Sequence, residues 1–458
     1  MKTVLIVSPC FPPVSAPDMQ RVRMSLPYFS RFGWNAIVLA VEPQFIEGVL
    51  DPLLMDTIPA ESEVHHAPAL PCWLTRRAGL GDLGVRAFPF LHASGARLIE
   101  ERAIDLVYFS TTVFTVTPLG RLWKQRFRIP FVIDMQDPWV TDYWKTRQNV
   151  RRGAKARVAG AVHGILEPWT MPQADGLIAV SQDYIATLQA RYPRLSQVPC
   201  LTLPFCAADT DFAAARKHPQ PNPFFVPDSG ETHGVYVGRG GADMAPSLRI
   251  IFSALRRGLE QEPELFSRLR LHFIGTDYAP DSRRRKTVEP VAAEFGVADR
   301  VAEHPQRVPY FQALQILLDA GFLMVPGSDD PQYTASKIFP YILARKPLLA
   351  VFHERSSVCN ILRRTGSGSL LAFDPEASSV DYAGELLPIW SSLLHKLPCS
   401  PETDWQEFNR YSAAEMVRQQ CALFDDVISH TELSAIGGQH STSSNGSEAG
   451  LTKVRADC

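Results

Sequence analysis

No apolar run in this sequence approaches the roughly 18 residues that a membrane-spanning helix needs; the longest are the size of strands. Met1–Ser8 is too short an apolar segment for a secretory signal and stops at Pro9, so it reads as a first buried strand. There is little excess charge of either sign. A formal net charge of -2 argues against general nucleic-acid binding. The cysteines Cys10, Cys72, Cys200, Cys206, Cys359, Cys399, Cys421 and Cys458 include no CxxC pair and no zinc-like spacing. Free thiols in a reducing, cytoplasmic setting follow, and no metal site is expected, since His65-His66 stands alone. The dinucleotide signature G-x-G-x-x-G is missing after the first strand, which argues against a dehydrogenase. Beyond Ser434 there is almost nothing to bury, so residues 433–458 are expected to be a disordered tail.

What remains is an alternation of strand-sized apolar runs with amphipathic helical stretches, the pattern of parallel sheets covered on both faces. Strands are expected at Val4–Val7, Ala36–Val41, Leu106–Ser110, Phe131–Asp134, Leu177–Val180 and Leu201–Leu203. A second set is expected at Val235–Val237, Leu271–Ile274, Arg300–Ala302, Phe322–Val325, Pro347–Val351 and Leu370–Ala372. The rhythm runs through twice, separated by the proline-rich stretch 211–230. The expected class is α/β, with two doubly wound Rossmann-like domains at 1–210 and 231–400, a linker at 211–230, and helices at 401–432 packing back toward the first domain. In such sheets ligands meet the loops at the carboxyl ends of the strands.

Four of those loops carry polar chemistry. Ser8–Arg23 is a proline-rich loop entering a helix, with Arg21 as a candidate for acceptor binding. Asp134-Met-Gln-Asp-Pro-Trp139 offers Asp137, an N-cap type residue before proline that is equally suited to orient a hydroxyl, and Trp139, an indole suited to stack on a sugar. Tyr236-Val-Gly-Arg-Gly-Gly241 is a glycine-rich turn in which Gly238 and Gly240 permit close approach and Arg239 supplies a fork for phosphate oxygens. Tyr333–Tyr341 places Ser336 as a cap and Lys337 beside the first free N–H groups of an expected helix, an arrangement that suits a diphosphate.

Tyr236-Val-Gly-Arg239, Phe273-Ile-Gly275, Arg307-Val-Pro-Tyr310 and Ser336-Lys-Ile-Phe-Pro-Tyr341, in this order and spacing, resemble the family 4 glycosyltransferases, which have the GT-B fold. Val132–Trp139 and Ala179–Tyr184 look like segments of that family's N-terminal domain, and the resemblance extends over about residues 1 to 430. It implies a retaining transferase acting in cell-envelope or exopolysaccharide assembly, with a nucleotide-sugar in the C-terminal domain and a saccharide or lipid-linked acceptor in the N-terminal one. By position it implies that Gly238, Arg239, Gly240, Ser336 and Lys337 hold the diphosphate, and that Asp330, Gln332, Thr334 and His304 face the sugar or nucleotide. Asp137 becomes the catalytic candidate, and no cofactor beyond the donor substrate and no metal is implied.

The chain departs from the family pattern in what it lacks. The paired glutamates of the E-x7-E pattern fall on Gln332 and Pro340, the lysine after the glycine-arginine turn is replaced by the Asp243-Met244 region, and the histidine after Leu106–Ser110 gives way to Ser110-Thr-Thr112. A non-catalytic nucleotide-sugar-binding or partner-binding protein is therefore the alternative reading, and a nucleotide-sugar epimerase a third. The basic stretches Arg76–Leu91 and Arg151–Arg157, set beside apolar residues, fit either a solvated helix face or peripheral contact with the inner membrane surface.

Overall fold

The computed structural model describes residues 1–75, 81–140, 154–206, 208–277, 279, 283–330, 338–377 and 379–442. The first domain is built on a seven-stranded, all-parallel sheet. Its strands are β1 (Lys2–Val7), β2 (Trp34–Val41), β3 (Glu63–Ala67), β4 (Leu106–Ser110), β5 (Phe131–Met135), β6 (Gly176–Ala179) and β7 (Cys200–Thr202). They lie in the order β3-β2-β1-β4-β5-β6-β7. The second domain repeats the plan with six parallel strands: β8 (Thr232–Val237), β9 (Leu269–Ile274), β10 (Val301–His304), β11 (Phe322–Pro326), β12 (Leu348–His353) and β13 (Ser369–Phe373), in the order β10-β9-β8-β11-β12-β13.

Both orders reverse at one point, between β1 and β4 and between β8 and β11. A crevice therefore opens at the carboxyl ends of those strands in each domain. The strands are apolar on both faces because helices cover both: Val4, Leu5, Ile6 and Val7 are all 0% exposed. The expected doubly wound GT-B architecture is borne out. The edge strand β3, Glu-Val-His-His-Ala, was not expected; it holds His65 and His66 in the sheet, paired with Leu39 and Ala40.

The stretch anticipated as a linker opens with a helix, Asp209–Lys217. Phe212, Ala214 and Ala215 of this helix join the core of the second domain. Farther on, Phe225 stacks on His233 and lies tilted against His272, so the proline-rich segment is seated on the second sheet. After the second domain the chain returns. Phe408 packs into the second core, whereas Ala413, Met416, Val417, Phe424 and Val427 of the last helix, Ala413–Thr442, pack into the first. That helix carries on through Thr442, into the stretch expected to be disordered, whose remainder lies outside the described residues. Its buried face is anchored in the first core, where Phe424 meets Trp34 edge-on at 5.3 Å and Tyr108 at 5.2 Å.

The domains meet under the crevice. Met19 and Leu54 of the first domain belong to the same apolar cluster as Phe212 and the second core. Alongside them runs a buried polar network. Arg23 forms a two-pronged ion pair with Asp211 at 2.5 and 2.8 Å, and the Tyr310 hydroxyl donates to the same carboxylate at 2.5 Å. The described cysteines are all unpaired.

Candidate active site

A cavity of about 410 Å³ lies between the two domains. One wall is the first domain's β1 loop, whose Val14-Ser15 pairs antiparallel with Val49-Leu50; Ser15, Ala16, Pro17, Gln20 and Val49 face the space. The opposite wall is the carboxyl edge of the second sheet, with Val237, Gly238 and Arg239 after β8, Ile274 and Gly275 after β9, Arg307–Tyr310 after β10, and Pro340 and Tyr341. The predicted glycine-rich turn and the arginine are thus brought to the crevice.

Local bonding makes that edge rigid. The Tyr341 hydroxyl accepts from the Val237 amide at 2.7 Å, and the Tyr236 hydroxyl donates to the Arg239 carbonyl at 2.9 Å. The amides of Gly238 and Gly240 are spent on the carbonyls of Ile274 and Thr276, at 2.9 and 2.7 Å. What Gly238 offers a ligand is therefore clearance, and not its N–H group. Gly240 is not among the cavity-lining residues and serves packing instead, because a Cβ there would come within 2.4 Å of Thr287 Oγ1. Gly275 has φ of +74°, a conformation that glycine adopts without strain.

Arg239 is paired with Asp243, Nη1 to Oδ1 at 2.9 Å and Nη2 to Oδ2 at 2.6 Å. This is the region where the family pattern has a cation, so the turn's charge is balanced from within. The hydrogen bonds from Arg239 hold the Asp243 carboxyl below its ordinary value. A carboxyl depressed in this way adds stability above the ordinary carboxylate range and loses it as pH falls through its lowered folded value.

Of the other anticipated site residues, Asp137 follows β5 at the carboxyl edge of the first sheet and is exposed there. Partial dehydration by its surroundings, with the negative charge of Asp18, raises its carboxyl above the ordinary value, the direction that suits proton exchange with a hydroxyl. Asp18 is itself 3% exposed and accepts from Thr111 Oγ1 at 2.8 Å and the Thr112 amide at 3.2 Å. The Thr-Thr run that replaces the family's histidine thus holds a carboxylate.

Arg21 and Trp139 are corrections. Arg21 is fully buried. Its Nε pairs with Asp134 at 2.7 Å, Nη2 donates to the Leu203 carbonyl at 2.7 Å, and the guanidinium lies over the Phe205 ring; none of it reaches an acceptor. Trp139 is 5% exposed, stacked on Phe114 at 5.5 Å, and packs in the first core. His304 is not among the cavity-lining residues; its ring rests against Phe224 at 4.7 Å, and burial lowers its pKa. Asp330 is exposed on the loop after β11, with its amide on Ser328 Oγ, and does not line the cavity. Gln332, Thr334, Ser336 and Lys337 lie outside the described residues; the helix they were expected to lead into is described over Ile338–Leu343.

The cavity also uses residues not singled out from the sequence: Gln20, Arg307, Tyr310 and Tyr341. Arg307, Tyr310 and Tyr341 were visible only as members of motifs. Gln20 and the Ser15–Pro17 turn had no signal beyond their place in the first strand's carboxyl loop. Glu303 had none either. Buried at 2% exposure, it accepts from the amides of Thr287, Val288 and Glu289 at 2.9–3.0 Å and so fixes the loop that packs against Gly240.

Residues 22–201 match the family model of the glycosyl transferase 4-like domain. Among solved structures, the chain is similar to a UDP-forming α,α-trehalose-phosphate synthase from Burkholderia xenovorans (11% identity, TM-score 0.52, covering 94% of this chain and 99% of that one). It is similar as well to the N-terminal domain of Candida albicans trehalose-6-phosphate phosphatase (12%, 0.55, 94% and 97%) and to the trehalose-phosphate synthase of Burkholderia vietnamiensis (13%, 0.50, 95% and 96%). At these identities the likeness is one of fold. No curated protein matches the sequence.

Proposed function

We propose, for a chain that is a divergent family 4 glycosyltransferase of GT-B fold, that it is a retaining enzyme transferring a sugar from a nucleotide-sugar to a saccharide or lipid-linked acceptor in envelope or exopolysaccharide assembly. The observation that carries this reading is the interdomain cavity, with Arg239 and the close-approach turn on one wall and the first domain's loop on the other. As the bond from the sugar's anomeric carbon to the diphosphate oxygen breaks, its electron pair stays on the diphosphate. Arg239, and in this reading Lys337 and Ser336, stabilise that growing charge. The acceptor oxygen bonds to the anomeric carbon on the same face, and its proton passes to the departing phosphate oxygen. Asp137 orients the acceptor hydroxyl. The charge work falls to side chains, so the reading needs no metal and no cofactor besides the donor, and it includes no nucleic-acid partner.

A thermal-shift series of nucleoside diphosphates and nucleotide-sugars tests it, because a ligand that binds only the folded state raises its apparent stability. At least one is expected to raise the melting temperature. Arg239→Ala is expected to weaken that ligand about 10- to 100-fold, the worth of a charge-assisted hydrogen bond at roughly 1.5–3 kcal/mol. No shift with any nucleotide, or an unchanged affinity in the variant, removes the site from Arg239.

The Arg239–Asp243 pair favours a second reading, binding without turnover, since a cation balanced from within has less charge to lend a leaving group. Asp243→Asn separates the two. Freed from its counter-ion, Arg239 is expected to bind a nucleoside diphosphate several-fold tighter, by about 0.5–1 kcal/mol. If turnover rises with it, Asp243 restrains an active enzyme; tighter binding with no transfer in either form supports the binding protein.

A further inference from the structure

The helix Ala154–Thr170 of the first domain is turned inside out. Between residues 160 and 170 every exposed position is glycine or apolar, with Ile165 at 69% and Val162 and Trp169 each at 37% exposure. Its one acid, Glu167, is buried at 1%, accepts from the Val140 amide and the Tyr192 hydroxyl at 2.8 Å, and is paired with Arg191. A helix that met only water would show the opposite pattern. Beside it runs an apolar groove of about 570 Å³, walled by Val85, Phe88, Leu122, Ile165 and Trp169. Trp73 and Leu74 are 76% and 55% exposed on the preceding segment. That segment is tied to the start of the helix Leu83–Glu101 by the Leu70 amide on the Arg86 carbonyl and by Arg86 Nη1 on the Leu70 carbonyl.

Basic residues border the helix side of this face, and the acid Asp82 lies at the other rim of the groove, bonded to Thr115. The first turns of the inverted helix carry Lys155 and Arg157 in sequence, and Arg121 lies over the Trp169 ring at 4.3 Å with Nη1 on the Trp169 carbonyl at 2.6 Å. Tryptophan at an apolar-polar boundary, the Arg121 guanidinium on its ring, and no exposed acid between residues 160 and 170 are the chemistry of an anionic lipid surface. A two-fold contact between copies through this face would instead bring the Arg121 of both copies into one interface.

We propose that this face docks onto an anionic bilayer, Ile165 and Trp169 entering the acyl boundary and the basic residues meeting the headgroups. The docking rests on this surface alone and not on the proposed transfer reaction. It deepens that reading because Thr115, at the groove, and Thr111, bonded to Asp18 at the sheet's carboxyl edge, share one short loop. A membrane-linked acceptor would then be presented from the docked side.

Sedimentation of the full chain with vesicles tests it, comparing pure phosphatidylcholine with phosphatidylcholine containing a large fraction of phosphatidylglycerol, at low and high salt. Binding to the anionic vesicles is expected, falling about tenfold or more without the anionic lipid or at high salt. The Ile165→Glu/Trp169→Glu double variant is expected to lose it while keeping the wild-type melting temperature and nucleotide response. Should that variant fail to fold, Ile165→Ser, at the more exposed site, and quenching of wild-type tryptophan fluorescence by brominated lipid decide the question. No binding to anionic vesicles, equal binding to neutral ones, binding retained in the variants, or a concentration-dependent dimer that the variants dissolve in the absence of lipid binding would each overturn the proposal.

Discussion

Asp211→Ala is expected to lower the stability of the chain by about 3–5 kcal/mol, the cost of leaving a buried charge without its partner. Asp211 is 1% exposed, and its carboxylate accepts from both Nη atoms of Arg23 and from the Tyr310 hydroxyl. Arg23 has further acceptors in Gln20 Oε1 and Thr57 Oγ1, but neither carries charge. The three partners come from the first domain, the connecting helix and the second domain, so the loss should do more than shift a midpoint. Wild-type chain is expected to unfold in urea as one transition, and the variant in two as the halves come apart. Asp211→Asn should cost less, since its oxygen still takes one of the donors. Replacing Arg23 and Asp211 together by leucine should recover part of the loss, which a double-mutant cycle reads directly. A midpoint unmoved by Asp211→Ala would mean that the halves are held by apolar contact alone.

Asp134→Ala should be as damaging, and more local. Both side chains of the Arg21–Asp134 pair are 0% exposed. Asp134 Oδ2 also accepts from the Tyr108 hydroxyl at 3.1 Å, Ser110 Oγ at 2.9 Å and Gln136 Nε2 at 3.0 Å. Removing the carboxylate strands a guanidinium and three neutral donors in the first core, a loss of about 3–5 kcal/mol that unfolds the first domain ahead of the second. Far-ultraviolet circular dichroism against urea is the measurement. Arg21→Lys distinguishes a structural role from acceptor binding. It should lower the midpoint because a point charge cannot span Asp134 and the Leu203 carbonyl together. An unchanged midpoint with a raised acceptor KM would restore Arg21 to the acceptor site.

Why the sequence misled at Arg21 and Trp139, yet placed Arg239, follows from where their partners lie. Arg239 sits on a turn whose neighbours are local, so its place at a strand's carboxyl end follows from the strand itself. Arg21 is spent on Leu203 and Asp134, and Trp139 on Phe114, partners far along the chain that no spacing reveals. The same holds for Tyr310, readable as part of a motif but not as a partner of Asp211. The central strands were legible because Val, Ile, Leu and Phe buried on both faces leave uninterrupted runs. β3 was not, since an edge strand with Glu63, His65 and His66 needs no such run. The helix Asp209–Lys217 was masked by the prolines that follow it, although two aspartates in its first turn and Arg216-Lys217 in its last complement its dipole.

The chain passes from one half to the other twice, once between Ala208 and Phe212 and again between Phe408 and Ala413. Two points of attachment define a line, and any displacement other than rotation about that line stretches one of them. Pulling the halves apart therefore strains two chain crossings as well as the Arg23–Asp211–Tyr310 contact, which lies beside the first of them.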